Sequence, residues 1–160
     1  MKFLNISIGI FIALAASRFV PHPPNFTSLI ALSFYVPILF GKRYLLIVIL
    51  AFAITDLYFG FHSTLLFTWF SVLIIGLISR FFKKGLYFRM SGAALGALAF
   101  FVITNFGVWA TGMYGYTFEG LLVCYTMAIP FFAYSLISTI IFSSLIETVS
   151  FFVKKNFKIV

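Results

Sequence analysis

Residues 44–60 read YLLIVILAFAITDLYFG, an apolar run that a single acid, Asp56, interrupts near its end. A helix of about 17 to 25 such residues is long enough to cross the hydrocarbon core of a bilayer. Stretches of similar character lie on both sides of this run, at residues 3–20, 26–40, 63–80, 90–111 and 130–152. The sequence therefore predicts an all-α integral membrane protein, a bundle of about six transmembrane helices.

The composition excludes several classes of protein. Hydrophobic residues make up 63% of the 160 residues and charged residues only 9%, whereas a soluble domain has about 25% charged residues. The apolar runs leave no room for a soluble enzyme domain, so residues 1–160 are predicted to form a single transmembrane domain. No catalytic or phosphate-binding motif is present. The sequence predicts neither an enzyme nor a cofactor, and no nucleic-acid partner.

Two parts of the chain fit the six-helix pattern less simply. The second segment is the shortest and contains Pro37, which favours a kinked or incomplete crossing. Between the fifth and sixth segments, residues 118–129 carry apolar side chains at helical spacing. This pattern predicts a short helix in the membrane interface, with Pro130 starting the last crossing.

The basic residues predict the orientation of the bundle in the membrane, because Lys and Arg accumulate in short cytoplasmic loops. With the N-terminus inside, ten of the eleven basic residues fall on the cytoplasmic side. They are Lys2, Lys42, Arg43, Arg80, Lys83, Lys84, Arg89, Lys154, Lys155 and Lys158. The exception is Arg18. Residues 1–17 also have features of a signal peptide, but the charge pattern needs this first segment, which favours a retained helix with both termini cytoplasmic.

Polar and aromatic side chains that do not explain orientation collect at the predicted outer end of the bundle. Ionisable groups in a membrane protein usually face the bundle interior and mark a ligand or ion path. The sequence thus predicts an outward-facing substrate site. Its candidate residues are Arg18, His22, Asn25, Asp56, His62, Asn105, Trp109, Tyr114 and Tyr125.

Each candidate also has a simpler explanation. Asp56 and Arg18 are predicted either to form a buried ion pair that locks the first helix to the third, or to bind ligand, or both. His22 and His62 could join Asp56 around a metal ion, but their spacing is not typical of a metal site. Hydrogen bonding within loops is favoured, and no metal is predicted. Trp109 is also typical of the aromatic belt at a membrane interface.

Small residues at a spacing of four predict close helix contacts. Gly9, Ala13 and Ser17 form such a series on the first helix, and Gly92 with Gly96 forms one on the fifth. Internal packing explains either series. Each series is alternatively a candidate docking face for another membrane subunit, and the series on the first helix is the preferred candidate.

The candidate residues stand in longer motifs that resemble those of a known bacterial family. The motifs are RFVPHPPNFT (18–27), GFHS (60–63), FFVITNFGVW (100–109), GLLVCY (120–125) and IPFF (129–132). They resemble a bacterial family of small transport proteins, which is similar in turn to the substrate-binding S-components of energy-coupling factor (ECF) transporters. The resemblance implies six helices in the bacterial inner membrane, an outward pocket for a vitamin-like solute, and pairing with a membrane coupling subunit and ATPases.

The sequence therefore predicts a membrane transport protein whose partners are a small-molecule solute and the lipid bilayer. Arg18 is expected to hold an anionic or polar group of the solute, with Asn105 and Asp56 orienting it. Trp109 or Tyr114 would stack on the solute. The alternative is a non-transporting membrane subunit or assembly factor that binds another membrane protein.

Overall fold

The computed structural model describes residues 2–157, which form six α-helices and two short 3₁₀ helices. The α-helices are α1 (Lys2–Phe19), α2 (Leu29–Phe40), α3 (Leu45–Phe59), α4 (Leu65–Ile78), α5 (Leu86–Ala110) and α6 (Phe118–Phe157). The 3₁₀ helices, Lys42–Tyr44 and Ser79–Phe82, follow α2 and α4. The described residues contain no β-strand, so the predicted all-helical class is confirmed.

Within residues 2–157, three helices are long and apolar enough to span a membrane: Leu65–Phe82, Leu86–Ala110 and Phe118–Val153. Their mean hydropathies are 2.0, 1.8 and 1.9. Two shorter apolar helices, Phe3–Phe19 and Leu29–Phe40, accompany them. These features are those of a membrane protein. The crossing of the bilayer by all six helices stays a prediction.

The first five predicted segments coincide with α1 to α5 to within four residues at either end. The predicted division of the last part of the chain is wrong. Residues 118–129 do not form a separate interfacial helix, because α6 runs as one 40-residue helix through Pro130.

The packing of the first turns of α6 explains this difference. Its inward face consists of small residues, Gly120, Cys124 and Ala128, spaced by four and buried. The Tyr125 hydroxyl donates a hydrogen bond to the Val102 carbonyl of α5 at 2.7 Å. Because this segment packs on α5, it is held in line with the rest of α6, and a proline within a membrane helix is tolerated under such conditions.

Helix α2 lies at the centre of the bundle and contacts all five other helices. Every residue from Leu29 to Pro37 is buried. Its 12 residues rise only about 18 Å, well short of the roughly 30 Å of a hydrocarbon core. The second segment is thus short, as its short apolar run predicted, and its shortness leaves space at one end of the bundle. Whether it crosses the bilayer stays a prediction.

The small residues of α5 serve internal packing, one of the two explanations given above. Gly92 and Gly96 are buried with Ala93 and Ala97. A Cβ added at Gly92 would meet Phe82 and Phe34, and one added at Gly96 would lie 3.2 Å from Ile75. Glycine at these two positions therefore lets α5 approach α2 and α4 closely.

A second ion pair, which the sequence analysis missed, joins α5 to α6. The Nε and Nη2 atoms of Arg89 donate to the two carboxylate oxygens of Glu147, at 2.5 and 2.8 Å. Arg89 also donates to the Lys83 carbonyl at 3.2 Å. This pair lies at the end of the bundle where α2, α4 and α6 finish, which is also the end that carries the described basic loops.

Candidate functional site

A cavity of about 540 Å³ occupies the space left by the short α2. The first residues of α2, Leu29 and Ile30, lie at its base. Its wall comes from the last turns of α1, α3 and α5 and from the first turns of α4 and α6. The cavity therefore lies at the end of the bundle opposite the basic loops, and we call this the cavity end.

Three connecting segments border the cavity: residues 20–28, 60–64 and 111–117. The first contributes His22, Pro24 and Asn25 to the lining, and the others contribute His62 and Tyr114, among further residues. Polar side chains are thus concentrated where the loops meet the cavity.

The first of these loops contains a β-turn that fixes its shape. The Phe26 N–H donates to the Pro23 carbonyl at 3.0 Å, and Asn25, the third residue of the turn, has a φ of 62°. A type II turn requires a positive φ at its third residue, which glycine or asparagine adopts, and it commonly has proline at its second. The Nδ1–H of His22 donates to the same Pro23 carbonyl at 2.7 Å, which adds a side-chain contact to the turn.

Substituting Asn25 should show how much this turn contributes to stability. Asn25→Ala and Asn25→Gly both remove the amide, but only alanine retains a Cβ in a left-handed conformation. We expect the alanine variant to have a free energy of unfolding about 1 kcal/mol lower than the glycine variant. Unfolding of the detergent-solubilised variants by titration with SDS measures the difference. Equal stabilities would show that the loop does not hold this turn.

Arg18 is held at the cavity wall by α3. Its Nη1 atom donates to Asp56 Oδ1 at 2.7 Å and to Thr55 Oγ1 at 2.5 Å. Its guanidinium carbon lies 4.6 Å from the centre of the Phe52 ring and 5.1 Å from that of Phe59. The predicted ion pair between α1 and α3 is therefore present.

Asp56 lies behind Arg18 and does not reach the cavity. Its side chain is 2% exposed, and its second oxygen accepts a hydrogen bond from Trp69 Nε1 at 2.8 Å. Both carboxylate oxygens are thus used within the protein. Arg18 lines the cavity, and its Nε and Nη2 atoms make no hydrogen bond to the described residues. The pair therefore presents unused donors, not a carboxylate, to a ligand.

Asn105 presents a hydrogen-bond acceptor to the cavity, whereas Arg18 presents donors. Its Nδ2 group donates to the Phe101 carbonyl of its own helix at 2.7 Å. Its Oδ1 atom accepts no hydrogen bond from the described part of the chain, and Asn105 lines the cavity together with Thr104. The cavity thus has a potential acceptor in α5 as well as the donors of Arg18.

Much of the rest of the wall is aromatic. Phe52 and Phe59 of α3, Phe100 and Phe101 of α5, and Phe131 and Phe132 of α6 line it. Aromatic faces of this kind bury the apolar part of a ligand, while a few polar groups fix its orientation.

Six of the nine predicted site residues line this cavity: Arg18, His22, Asn25, His62, Asn105 and Tyr114. The other three do not. Asp56 supports Arg18 from behind. Trp109 donates its indole N–H to the Thr117 carbonyl at 3.2 Å and packs beside Phe106. Tyr125 is turned toward α5, where it bonds to Val102. The predicted stacking of Trp109 on a solute and the orienting role of Asp56 at the solute are therefore not supported by this geometry.

Sequence reasoning missed several residues that line the cavity. It also missed Trp69, which donates a hydrogen bond to Asp56. Thr64 and Thr68 of the α4 start face the cavity, but hydroxyl residues at a helix start are usually explained as caps. Trp69 lies 13 residues after Asp56, a separation that carries no local signal. Among the described residues no group of three His, Cys, Asp or Glu side chains is close enough to hold a metal ion.

The three candidate docking residues on α1 separate into two kinds. Ser17 is used inside the protein, because its hydroxyl lies 2.7 Å from that of Ser28. Gly9 and Ala13 are exposed and border a second, apolar groove on the side of the bundle.

Comparison of the chain with known proteins identifies its family. No curated protein matches the chain, and no solved structure matches it. Residues 2–160 match the model of a family of unknown function. The chain belongs to this family, the family of unknown function DUF6580.

Proposed function

We propose that this protein is a membrane transport protein that captures a small solute in the cavity for uptake, in the manner of an ECF S-component. In this proposal all six helices cross the bacterial inner membrane, and both termini are cytoplasmic. The observation that carries the proposal is the cavity itself, which combines an aromatic wall with polar groups at one end of an apolar bundle.

The distribution of charge supports the proposed orientation. Lys42 and Arg43 follow α2, and Arg80, Lys83 and Lys84 follow α4. All of these residues lie at the end opposite the cavity, and Lys158 lies outside the described residues. Since basic loops stay in the cytoplasm, the cavity end would face outward, where a solute arrives.

The cavity has the size and lining of a small-molecule site. Its volume of about 540 Å³ falls within the roughly 300 to 1,000 Å³ of such sites. The aromatic wall suits an apolar or planar body. Arg18 and Asn105 suit a polar group that both donates and accepts hydrogen bonds, or two separate polar groups.

The charges at the cavity favour a neutral or anionic solute. Asp56, whose oxygens are already bonded to Arg18 and Trp69, has no capacity left for a cation. A cationic solute would therefore meet a guanidinium with no free carboxylate beside it. A carboxylate or carbonyl group could accept from the unused nitrogens of Arg18.

A membrane coupling subunit with ATPases would energise release of the solute in this proposal. The cavity is assigned binding and no catalysis. Copurification of the protein with a stoichiometric membrane partner would support such a module.

Native mass spectrometry of the detergent-purified protein tests the proposal. We expect the wild-type protein to retain a small molecule at 1:1 stoichiometry. Asn105→Leu should reduce its retention about tenfold, the effect of losing one hydrogen bond of about 1.4 kcal/mol. The fold should survive, because within the described residues the Asn105 side chain bonds only to its own helix, α5.

Asn5→Leu is the matched control, since Asn5 is exposed on α1 away from the cavity. This variant should retain the small molecule as the wild type does. A wild-type protein with nothing bound after purification from its own host, or equal retention by the Asn105→Leu variant, would contradict the proposed site.

A further inference from the structure

A second concave surface lies on the side of the bundle, between α1 and α6, with α2 as its base. Its volume is about 390 Å³. Gly9 and Ala13 of α1 form one edge, and Leu145 and Val149 of α6 form the other. Apart from Ser150 and the phenol of Tyr35, its lining residues are apolar. We call this surface the lateral groove.

The lateral groove exists because α1 presents small residues toward it. A Cβ added at Gly9 would meet nothing within 4 Å, and Ala13 is exposed beside it. Helix α1 packs mainly on α3, so it leaves the α2 surface open on the α6 side. Larger side chains at these two positions would fill the groove without displacing other parts of the protein.

The lateral groove is elongated and apolar, which suits a hydrocarbon chain. Along α2 it extends from Leu32 to Phe40, a rise of about 12 Å. An extended alkyl chain can lie along this length against the apolar side chains of α1, α2 and α6.

The end of the lateral groove away from the cavity is basic. Phe40 lines the groove, and the exposed Lys42 and Arg43 follow it after Gly41, just beyond the groove lining. The guanidinium carbon of Arg43 lies 5.5 Å from the ring centre of Phe3, one helical turn before the groove residue Ile6. A negatively charged group at this position would find two cations close to the apolar groove.

The acidic residues of the chain do not cancel this charge. Of the three acids, Asp56 and Glu119 lie toward the cavity end, and Glu147 is bonded through both oxygens to Arg89. The exposed Lys155 at the end of α6 adds to the positive charge. Basic sites between membrane helices at the cytoplasmic face are known to hold anionic lipid headgroups.

We propose that the lateral groove binds one acyl chain of an anionic phospholipid, whose phosphate group is held by Lys42 and Arg43. The small residues Gly9 and Ala13 are in this view the lining of a lipid site and not the contact surface of a helix. This site is separate from the cavity and does not depend on what the cavity binds.

Native mass spectrometry with defined lipids tests this site. The delipidated protein is titrated with phosphatidylglycerol and with phosphatidylcholine, both carrying palmitoyl and oleoyl chains. We expect one molecule of phosphatidylglycerol to be retained at least fivefold better than phosphatidylcholine. Lys42→Gln with Arg43→Gln should abolish this preference, because each basic residue contributes about fivefold.

Gly9→Leu with Ala13→Leu should lower retention of both lipids at least fivefold by filling the groove. Two control variants leave the groove lining unchanged: Ser91→Leu adds bulk at an exposed position of α5, which does not line the groove, and Lys84→Gln removes a charge at the same end. Both should bind phosphatidylglycerol like the wild type.

Several results would overturn the proposal. Equal retention of the two lipids, or retention that groove filling does not change, would indicate nonspecific lipid around the bundle. No retained lipid in the wild type would also reject the site. A dimer that the Gly9→Leu and Ala13→Leu variant no longer forms would assign the groove to a second copy of the chain.

Discussion

Replacing Arg18 by methionine is expected to lower the free energy of unfolding by about 3–5 kcal/mol, the usual effect of removing one partner of a buried ion pair. Methionine keeps most of the apolar volume of the side chain but leaves Asp56 without its cation. The Asp56 side chain is 2% exposed, whereas that of Arg18 is 16% exposed and borders the cavity. Water can therefore reach an unpaired Arg18 but not an unpaired Asp56.

This difference in exposure predicts the order of stability among variants of the two residues. Asp56→Asn should cost less than Arg18→Met, since Arg18 can be hydrated from the cavity and asparagine can still accept the Trp69 hydrogen bond. The double variant should be more stable than Arg18→Met alone, because it removes the buried charge together with its partner. SDS titration of the four proteins measures the series. A double variant whose loss equals the sum of the two single losses would show that the residues are not coupled.

The double variant also separates folding from binding. If Arg18 contacts the solute, the folded double variant should retain much less of the small molecule that the wild type carries. Hydrogen bonds to a charged group contribute about 1.5–3 kcal/mol, so the expected loss is at least about tenfold. Normal retention by a folded double variant would exclude Arg18 from the site while leaving its role in joining α1 to α3 intact.

The sequence could predict those features that follow from length, spacing and charge along the chain. Apolar length placed α1 to α5 to within a few residues. The small residues of α5 were recognised by their spacing, and the shortness of α2 was expected from its short apolar run. The pairing of Arg18 with Asp56 was predicted because each is a rare charge at the same end of the bundle, and two unpaired charges there would be costly.

Features that depend on which side chains meet between helices could not be predicted in this way. Proline usually ends a helix, but the packing of Cys124 and Ala128 on α5 keeps α6 continuous through Pro130. Trp69 has no sequence relation to Asp56, although it donates to it. Tyr125 was included in the site for its depth along the chain, yet its hydroxyl bonds to α5. The position of a residue along its helix can be read from the sequence. The direction in which its side chain points around that helix depends on how the helices pack.

The last prediction concerns Gly120, where α6 begins beside the cavity. Thr117 caps this helix: its hydroxyl accepts a hydrogen bond from the Gly120 N–H at 3.0 Å, and its carbonyl accepts one from Leu121 at 3.0 Å. A Cβ at Gly120 would overlap the backbone carbonyl oxygen of Tyr114 and lie 2.9 Å from that of Gly115. Neither oxygen belongs to a flexible side chain that could simply turn away. The loop that carries Tyr114 to the cavity would have to move.

We expect Gly120→Ala to lower the free energy of unfolding by about 1–3 kcal/mol, as overpacking does, and to weaken solute retention because Tyr114 is displaced. Gly9→Ala is the matched control: a Cβ there meets nothing within 4 Å, so better helix propensity should stabilise the protein by about 0.5–1 kcal/mol. Both measurements use SDS titration and native mass spectrometry. Since the same chemical change has opposite expected signs at the two glycines, a Gly120→Ala protein as stable as Gly9→Ala would mean that the Tyr114 loop does not pack on the start of α6.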